Sequence, residues 1–174
     1  MVISLMSSKI DFEALVGKHS EELFAYLWRM FGDSAEAQDC LQDTFLRAYR
    51  AYNRLNGESN TRAWLYKIAS NTAFTQLKRR GNTKYQSAKL VENLASREAS
   101  PDLQVEQFDR LEQVKMAVMA LPHKQRAALM MRKYQEMTYK EISQALNCTA
   151  ESARANVYQG LRKLRKQLAE EVSK

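Results

Sequence analysis

The chain has 174 residues, 45% hydrophobic and 9% aromatic, and its 5 glycines and 2 prolines leave little room for an all-β fold, which needs many turns. The formal net charge is +7 and unevenly spread: residues 1–80 hold 11 Lys/Arg against 9 Asp/Glu, residues 81–121 hold 5 against 6, and residues 122–174 hold 11 against 5. A cationic excess gathered in the last third is the electrostatic footprint of phosphate binding, with a basic surface that serves only solubility as the alternative.

Taken from the N-terminus, Phe12, Leu15, Val16, Leu23, Phe24, Leu27 and Trp28 recur at helical spacing and predict a helix over residues 11–31 with these side chains buried. Gly32-Asp33-Ser34 ends it and caps the next, because short oxygen-bearing side chains accept from the free N–H groups at a helix start. That second helix, residues 35–53, buries Ala37, Leu41, Phe45, Ala48 and Tyr52 and turns Asp39, Gln42 and Asp43 toward solvent. Cys40 lies on the apolar face as a small buried hydrophobe. A polar loop from Asn53 to Thr61 follows. A third helix, residues 62–80, points Trp64, Leu65, Ile68, Ala69, Thr72 and Leu77 inward and ends in Lys78-Arg79-Arg80.

From Gly81 to about Ser100 the periodicity dissolves, which reads as a linker. Ser100-Pro101-Asp102 is a helix start that combines a cap, a proline in the first turn and an acid near the positive dipole end. The helix it opens runs to about Ala120, where Leu121-Pro122 stops it. Thr138 opens a short helix carrying Ile142 and Leu146, Asn147-Cys148-Thr149 interrupts it, and a longer helix places Ala153, Val157, Leu161, Leu164 and Leu168 on one face. Two amphipathic helices joined by a tight turn form a helix-turn-helix, whose second helix lies in the DNA major groove. The expected fold is all-α: two small helical domains joined by a flexible linker, the C-terminal one a helix-turn-helix.

Cys40 and Cys148 are too few for a zinc site or a disulfide framework, so no metal is expected and the compartment is read as reducing. MVISLMSSK lacks the basic start and apolar stretch of a signal peptide, and no run nears the ~18 apolar residues of a membrane span; a cytoplasmic protein without membrane insertion is expected. His19 and His123 stand in separate domains, and His123, after Leu-Pro, is expected to be exposed. With no Gly-rich phosphate loop and no nucleophile beside a base, neither catalysis nor a cofactor is expected.

GDSAEAQDCLQDTFLRAYRAY, then TRAWLYKIASNTAFTQLKRR, a linker, and LP…R…Y…TYKEISQAL…L together resemble a small sigma factor of the sigma-70 family, of the extracytoplasmic-function type. The resemblance implies a domain over residues 1–80 that binds core RNA polymerase and melts the −10 element, a linker over 81–100, and a domain over 101–174 that reads the −35 element. Asp39, Gln42 and Asp43 match the face that docks on the clamp helices of the largest polymerase subunit. Two carboxylates at i, i+4 repel each other on an isolated helix, a cost that a basic partner removes; local pairing of Asp43 with Arg47 is the alternative.

Asn53, Asn56, Ser59, Asn60, Arg62 and Lys67 match the part that captures unpaired −10 bases, which needs polar edges and nearby cations. Asn71, Lys78, Arg79 and Arg80 match its upstream edge, where duplex phosphates pass. Trp64, lying with Leu65 and Ile68, reads as core rather than as a stacking platform. Ser152, Arg154, Ala155, Asn156, Tyr158 and Gln159 match the −35 reading positions. There Arg reads guanine and Gln adenine, each worth about 1–3 kcal/mol of discrimination. Arg162, Lys163, Arg165 and Lys166 hold phosphates, giving affinity without sequence information. Asn147 replaces a usual Gly in the turn and tolerates left-handed backbone. Gln159 replaces a frequent Arg, so the usual −35 consensus does not carry over. Promoter DNA, the flap of the second-largest polymerase subunit and an anti-sigma protein are the further partners the resemblance implies. The competing reading is a stand-alone two-domain helix-turn-helix regulator, which would bind duplex DNA without polymerase.

Overall fold

The computed structural model describes residues 11–55, 59–87 and 103–172, all helix, turn or cap, with no β-strand among them. In chain order these form α1 (Phe12–Phe31), α2 (Ser34–Ala51), a 3-10 turn (Tyr52–Arg54), α3 (Thr61–Ser87), α4 (Leu103–Met119), α5 (His123–Tyr134), α6 (Tyr139–Leu146) and α7 (Ala150–Val172).

Each boundary has a local cause. Asp11 caps α1 by accepting from the Glu13 N–H, and Gly32 ends it at φ 70°, donating its own N–H to the Trp28 carbonyl. A side chain is disfavoured in that left-handed conformation, which is why the turn falls at a glycine. Asp33 accepts from Glu36 N–H at 2.9 Å to start α2. Thr138 and Glu141 form a reciprocal capping box at the start of α6, and Asn147 closes that helix at φ 50°. The asparagine therefore performs the left-handed turn expected of it.

Residue 80 does not end the third helix. α3 continues to Ser87, seven residues past Arg80. One glycine costs a helix interior about 1 kcal/mol, too little to stop a helix already nucleated, and there is no proline to do so. Ser100, Pro101 and Asp102 lie outside the described residues, as does Asn56.

In the first half, α1, α2 and α3 close on Leu23, Tyr26, Leu27, Cys40, Leu65, Tyr66 and Ala69, all essentially without solvent exposure. The Tyr26 hydroxyl meets Ser70 Oγ at 2.8 Å, and its ring lies 5.1 Å from that of Tyr66. Burial pushes the Cys40 thiol up to about 12, which keeps it an inert apolar filler. In the second half, α5, α6 and α7 enclose Leu129, Met131, Met137, Ile142, Ala153 and Val157. Gly160 lets α7 approach α5 closely, since a Cβ there would sit 3.4 Å from the Gln125 carbonyl oxygen.

The two halves pack against each other: α3 lies along α6 and α1 along α5, and their buried residues form one cluster. Arg126 of α5 is 3% exposed and has no carboxylate partner among the described residues. Its guanidinium donates to the carbonyl oxygens of Met30 at the end of α1, Met119 at the end of α4, and Leu121. Those C-terminal carbonyls carry the negative ends of helix dipoles, so they partly replace the missing counter-ion. The replacement is incomplete: burial, and to a lesser degree the nearby Arg80, lower its pKa to about 10. Further contacts cross the same seam. Arg29 lies over the Tyr134 ring at 4.0 Å, and the His123 ring stacks on Phe74 with centroids 6.3 Å apart. His123 is thus half-buried rather than exposed, because the seam covers a helix start that would be open in an isolated domain.

Candidate polymerase and nucleic-acid interfaces

Asp39, Gln42 and Asp43 are all exposed and share one face of α2. Asp43 does not pair with Arg47; its carboxylate instead accepts from Gln76 Nε2 at 3.1 Å, which fixes it across to α3. Leu46, 57% exposed, stands one turn beyond Gln42 and Asp43 on the same stripe. An exposed leucine flanked by acids is a surface feature the periodicity of the core did not reveal. Its signal in the sequence was its position three residues from Asp43 and four from Gln42.

On α3, Lys67, Asn71 and Lys78 follow one outward stripe at helical spacing, with Lys67 half-exposed and the other two open. Asn53 and Ser59 are exposed beside them at the ends of the preceding loop. Arg79 is exposed as well. Arg80 faces the other way. It donates to the Phe31 carbonyl at 3.3 Å and pairs with Glu36 at 2.6 Å, holding the α1–α2 turn. Trp64 is half-buried against the core, as its neighbours on the apolar face required, whereas Trp28, expected inside, is 44% exposed. It borders an apolar groove between α1, α4 and α5 with Leu111, Val114, Val118, Met119 and Tyr134.

The α3 N-terminus is differently placed. Asn60 caps α3 by accepting from Ala63 N–H at 3.0 Å and donates to Glu141 of α6 at 3.3 Å. Arg62 makes a forked pair with Glu22, closest at 2.7 Å, and donates to the Gln135 carbonyl at 2.8 Å. His19, buried on α1, completes the group at 2.6 Å from the same Glu22. Burial pushes the Glu22 carboxyl up, but the hydrogen bonds and charges of Arg62 and His19 outweigh it and hold the group below its ordinary value.

On α7, Ser152, Arg154, Ala155, Tyr158 and Gln159 are exposed and Asn156 is half-buried, its amide donating to the Ser152 carbonyl at 3.0 Å. Gln159 is held by Gln125 Nε2 at 2.8 Å. Arg162, Lys163, Arg165 and Lys166 continue the exposed side of the helix; Lys166 reaches Glu170 only at 3.9 Å. Gln159, Arg162, Lys163 and Lys166 line a shallow open cavity, a cationic trough of the kind that suits a phosphate chain.

The family profile described as Sigma-70 region 2 matches residues 15–83, and that described as Sigma-70, region 4 matches residues 111–164. The chain is 29% identical over 158 residues to the RNA polymerase sigma-H factor of Pseudomonas aeruginosa, covering 86% of this chain and 82% of that one. It is 25% identical to the RNA polymerase sigma factor YlaC of Bacillus subtilis, covering 94% and 95%. The chain belongs to the sigma-70 family, in its extracytoplasmic-function type. In fold it is similar to the sigma factor RpoE of Bartonella quintana, solved in complex with the anti-sigma factor NepR, with a TM-score of 0.69 at 24% identity over 91% of this chain and 97% of that one.

The profile for region 2 thus covers the acidic stripe of α2 and nearly all of α3, and that for region 4 covers α5, α6 and most of α7. Within this sigma factor the seam between the regions runs directly over Asn60 and Arg62. Sequence reasoning singled out both as base-capturing residues, but not their partners Glu22, Gln135 and Glu141, because the pairs are separated by 40 to 81 positions. No helix among the described residues is long and apolar enough to cross a membrane.

Proposed function

We propose that this sigma factor binds core RNA polymerase through α2, melts the −10 element with the outward side of α3 and the loop before it, and selects the −35 element with α7. The functional units of this reading are residues 1–80, the linker 81–100, and residues 101–174. The observation that carries it is the exposure, on one chain, of an acidic stripe within the region 2 match and of a cationic reading helix within the region 4 match. Asp39, Gln42 and Asp43 meet a basic partner surface, the clamp helices of the largest subunit, with Leu46 as the apolar centre that water leaves on docking. Residues 101–174 rest on the flap of the second-largest subunit. The protein acts in the cytoplasm as an initiation factor without chemistry of its own.

The closed seam bears on the mechanism. Asn60 is engaged by Glu141 of α6 and Arg62 by the Gln135 carbonyl and by Glu22 of α1, so Asn60 takes DNA only after α6 withdraws from α3, and Arg62 only after it also leaves Glu22. The polymerase-docking stripe is open in the same arrangement, so docking precedes release. An anti-sigma protein is the third partner, and the groove around Trp28, Leu111 and Tyr134 is an apolar surface that such a partner covers.

Reversing both acids, Asp39→Arg with Asp43→Arg, tests the docking surface. Core polymerase no longer captures the doubly reversed protein in a pull-down, while its helical circular dichroism persists. Capture at the unmodified level overturns the assignment.

A further inference from the structure

At the edge of the −35 reading helix, two arginines converge on one tyrosine. The Arg154 guanidinium of α7 lies over the Tyr139 ring of α6 with its carbon 5.2 Å from the centroid, and that of Arg132, from α5, lies 5.0 Å away. Tyr139 is a fixed platform. It is the first residue of α6, inside the Thr138–Glu141 capping box, and its half-buried ring packs against the core of the helix-turn-helix. Arg132 is anchored from the other end by donating to the Met137 carbonyl at 3.0 Å. Among the described residues neither arginine forms an ion pair; all the ion pairs present involve other cations. Both positive charges therefore stay uncompensated by acids, on the surface that carries Tyr158 and Gln159.

We infer that Tyr139 is a positioning residue for Arg154, presetting its guanidinium for base reading in the major groove. The inference rests on the −35 reading of α7 proposed above. An arginine that reads guanine must present two N–H groups in one plane to O6 and N7. A free arginine side chain samples many rotamers, and the loss of that freedom on binding weakens recognition. An aromatic face holds the guanidinium by its electrostatic attraction to the π cloud while leaving its edge donors unused. A carboxylate would hold the same group by occupying those donors. Tyr139 thus orients the reader without competing with the base. Arg132, on the same ring and already tied to Met137, adds charge that draws phosphate toward the junction of α5, α6 and α7.

The test uses full-length variants assembled with core polymerase, run on a promoter library randomised across the −35 segment and scored by transcripts per sequence. Arg154→Ala flattens the preference at one base position. Tyr139→Leu keeps an apolar side chain on the core but has no π face; it reduces the discrimination at that same position by about two- to fivefold. Tyr139→Phe keeps the face and restores the preference. The double variant Arg154→Ala with Tyr139→Leu is no flatter than Arg154→Ala alone. Should Tyr139→Leu fail to fold by thermal melting, Tyr139→Met carries the same comparison. The inference is overturned if Tyr139→Leu lowers all promoters alike, if Tyr139→Phe does not rescue, or if the two substitutions add. If Arg154→Ala changes no base preference, it is the −35 reading of Arg154 that falls, and the positioning role falls with it.

Discussion

The arginines at the start of α3 and on the outer side of α7, both proposed to meet nucleic acid, are held in opposite ways. Asn60 and Arg62 are engaged by carboxylate and carbonyl oxygens from α1 and from the far half of the chain. Arg154, Tyr158, Arg162 and Lys163 face solvent, and the only contact fixing Arg154 among the described residues is an aromatic ring. A surface whose donors are filled by the protein's own acceptors must first be emptied, whereas one preset by a π face is ready to bind. Under the proposed function the difference orders the events: duplex reading is available in the closed chain, and single-strand capture at Asn60 and Arg62 is not.

The comparison can be broken most directly by preventing the seam from opening. In a Cys148→Ser background, Phe74→Cys with His123→Cys, bridged by a short bis-maleimide, loses promoter-dependent initiation while keeping core binding in a pull-down. The unbridged double variant initiates normally. Initiation by the bridged form at the unbridged rate removes the requirement for opening.

A smaller effect comes from the seam's buried cation. Arg126→Met removes the donor shared by two helix-end carbonyls and that of Leu121, and leaves them without it; about 3 kcal/mol of stability is lost, read from urea unfolding. Arg126→Lys, with fewer donors and no planar fork, recovers only part of it. An unchanged unfolding midpoint in Arg126→Met would show that the closed arrangement does not depend on this pin.

The smallest effect is one of pH, and it sharpens the comparison because it touches only the closed side. Burial first, and then the charge of Arg126, hold His123 below its ordinary pKa. A group depressed in the folded state contributes stability that is present above its unfolded value of about 6.5 and lost as pH falls through the folded one. Glu22, also depressed, behaves alike in a lower window, below its unfolded value of 4.5. Acidification from pH 7.5 to 5.5 therefore loosens the seam at His123 while leaving the Glu22–Arg62 pair intact. A fluorophore pair placed across the α3–α6 contact reports a larger mean distance at pH 5.5. His123→Phe abolishes that change, and a response that survives the substitution assigns it elsewhere.

Sequence periodicity located the helices other than α5, the caps at Asp33 and Thr138, and the helix-turn-helix, because each depends on residues three or four apart: Asp33 with Glu36, Thr138 with Glu141, Ile142 with Leu146. It also placed Asp39, Gln42 and Asp43 outside and Cys40 inside, since one face of α2 is apolar and the other is not. It could not see that Trp28 stays at the surface, that Arg80 turns inward to Phe31 and Glu36, or that α3 runs on to Ser87. Those outcomes turn on which helix lies opposite, and neighbours distant in sequence leave no periodic trace. The seam belongs to the same class. Arg126 reads as one more surface cation until α1 and α4 bring their carbonyl ends to it, and Arg62 reads as a DNA contact until Glu22 and Gln135 arrive. Local spacing fixes what a helix offers, and tertiary packing alone decides whether the offer is already taken.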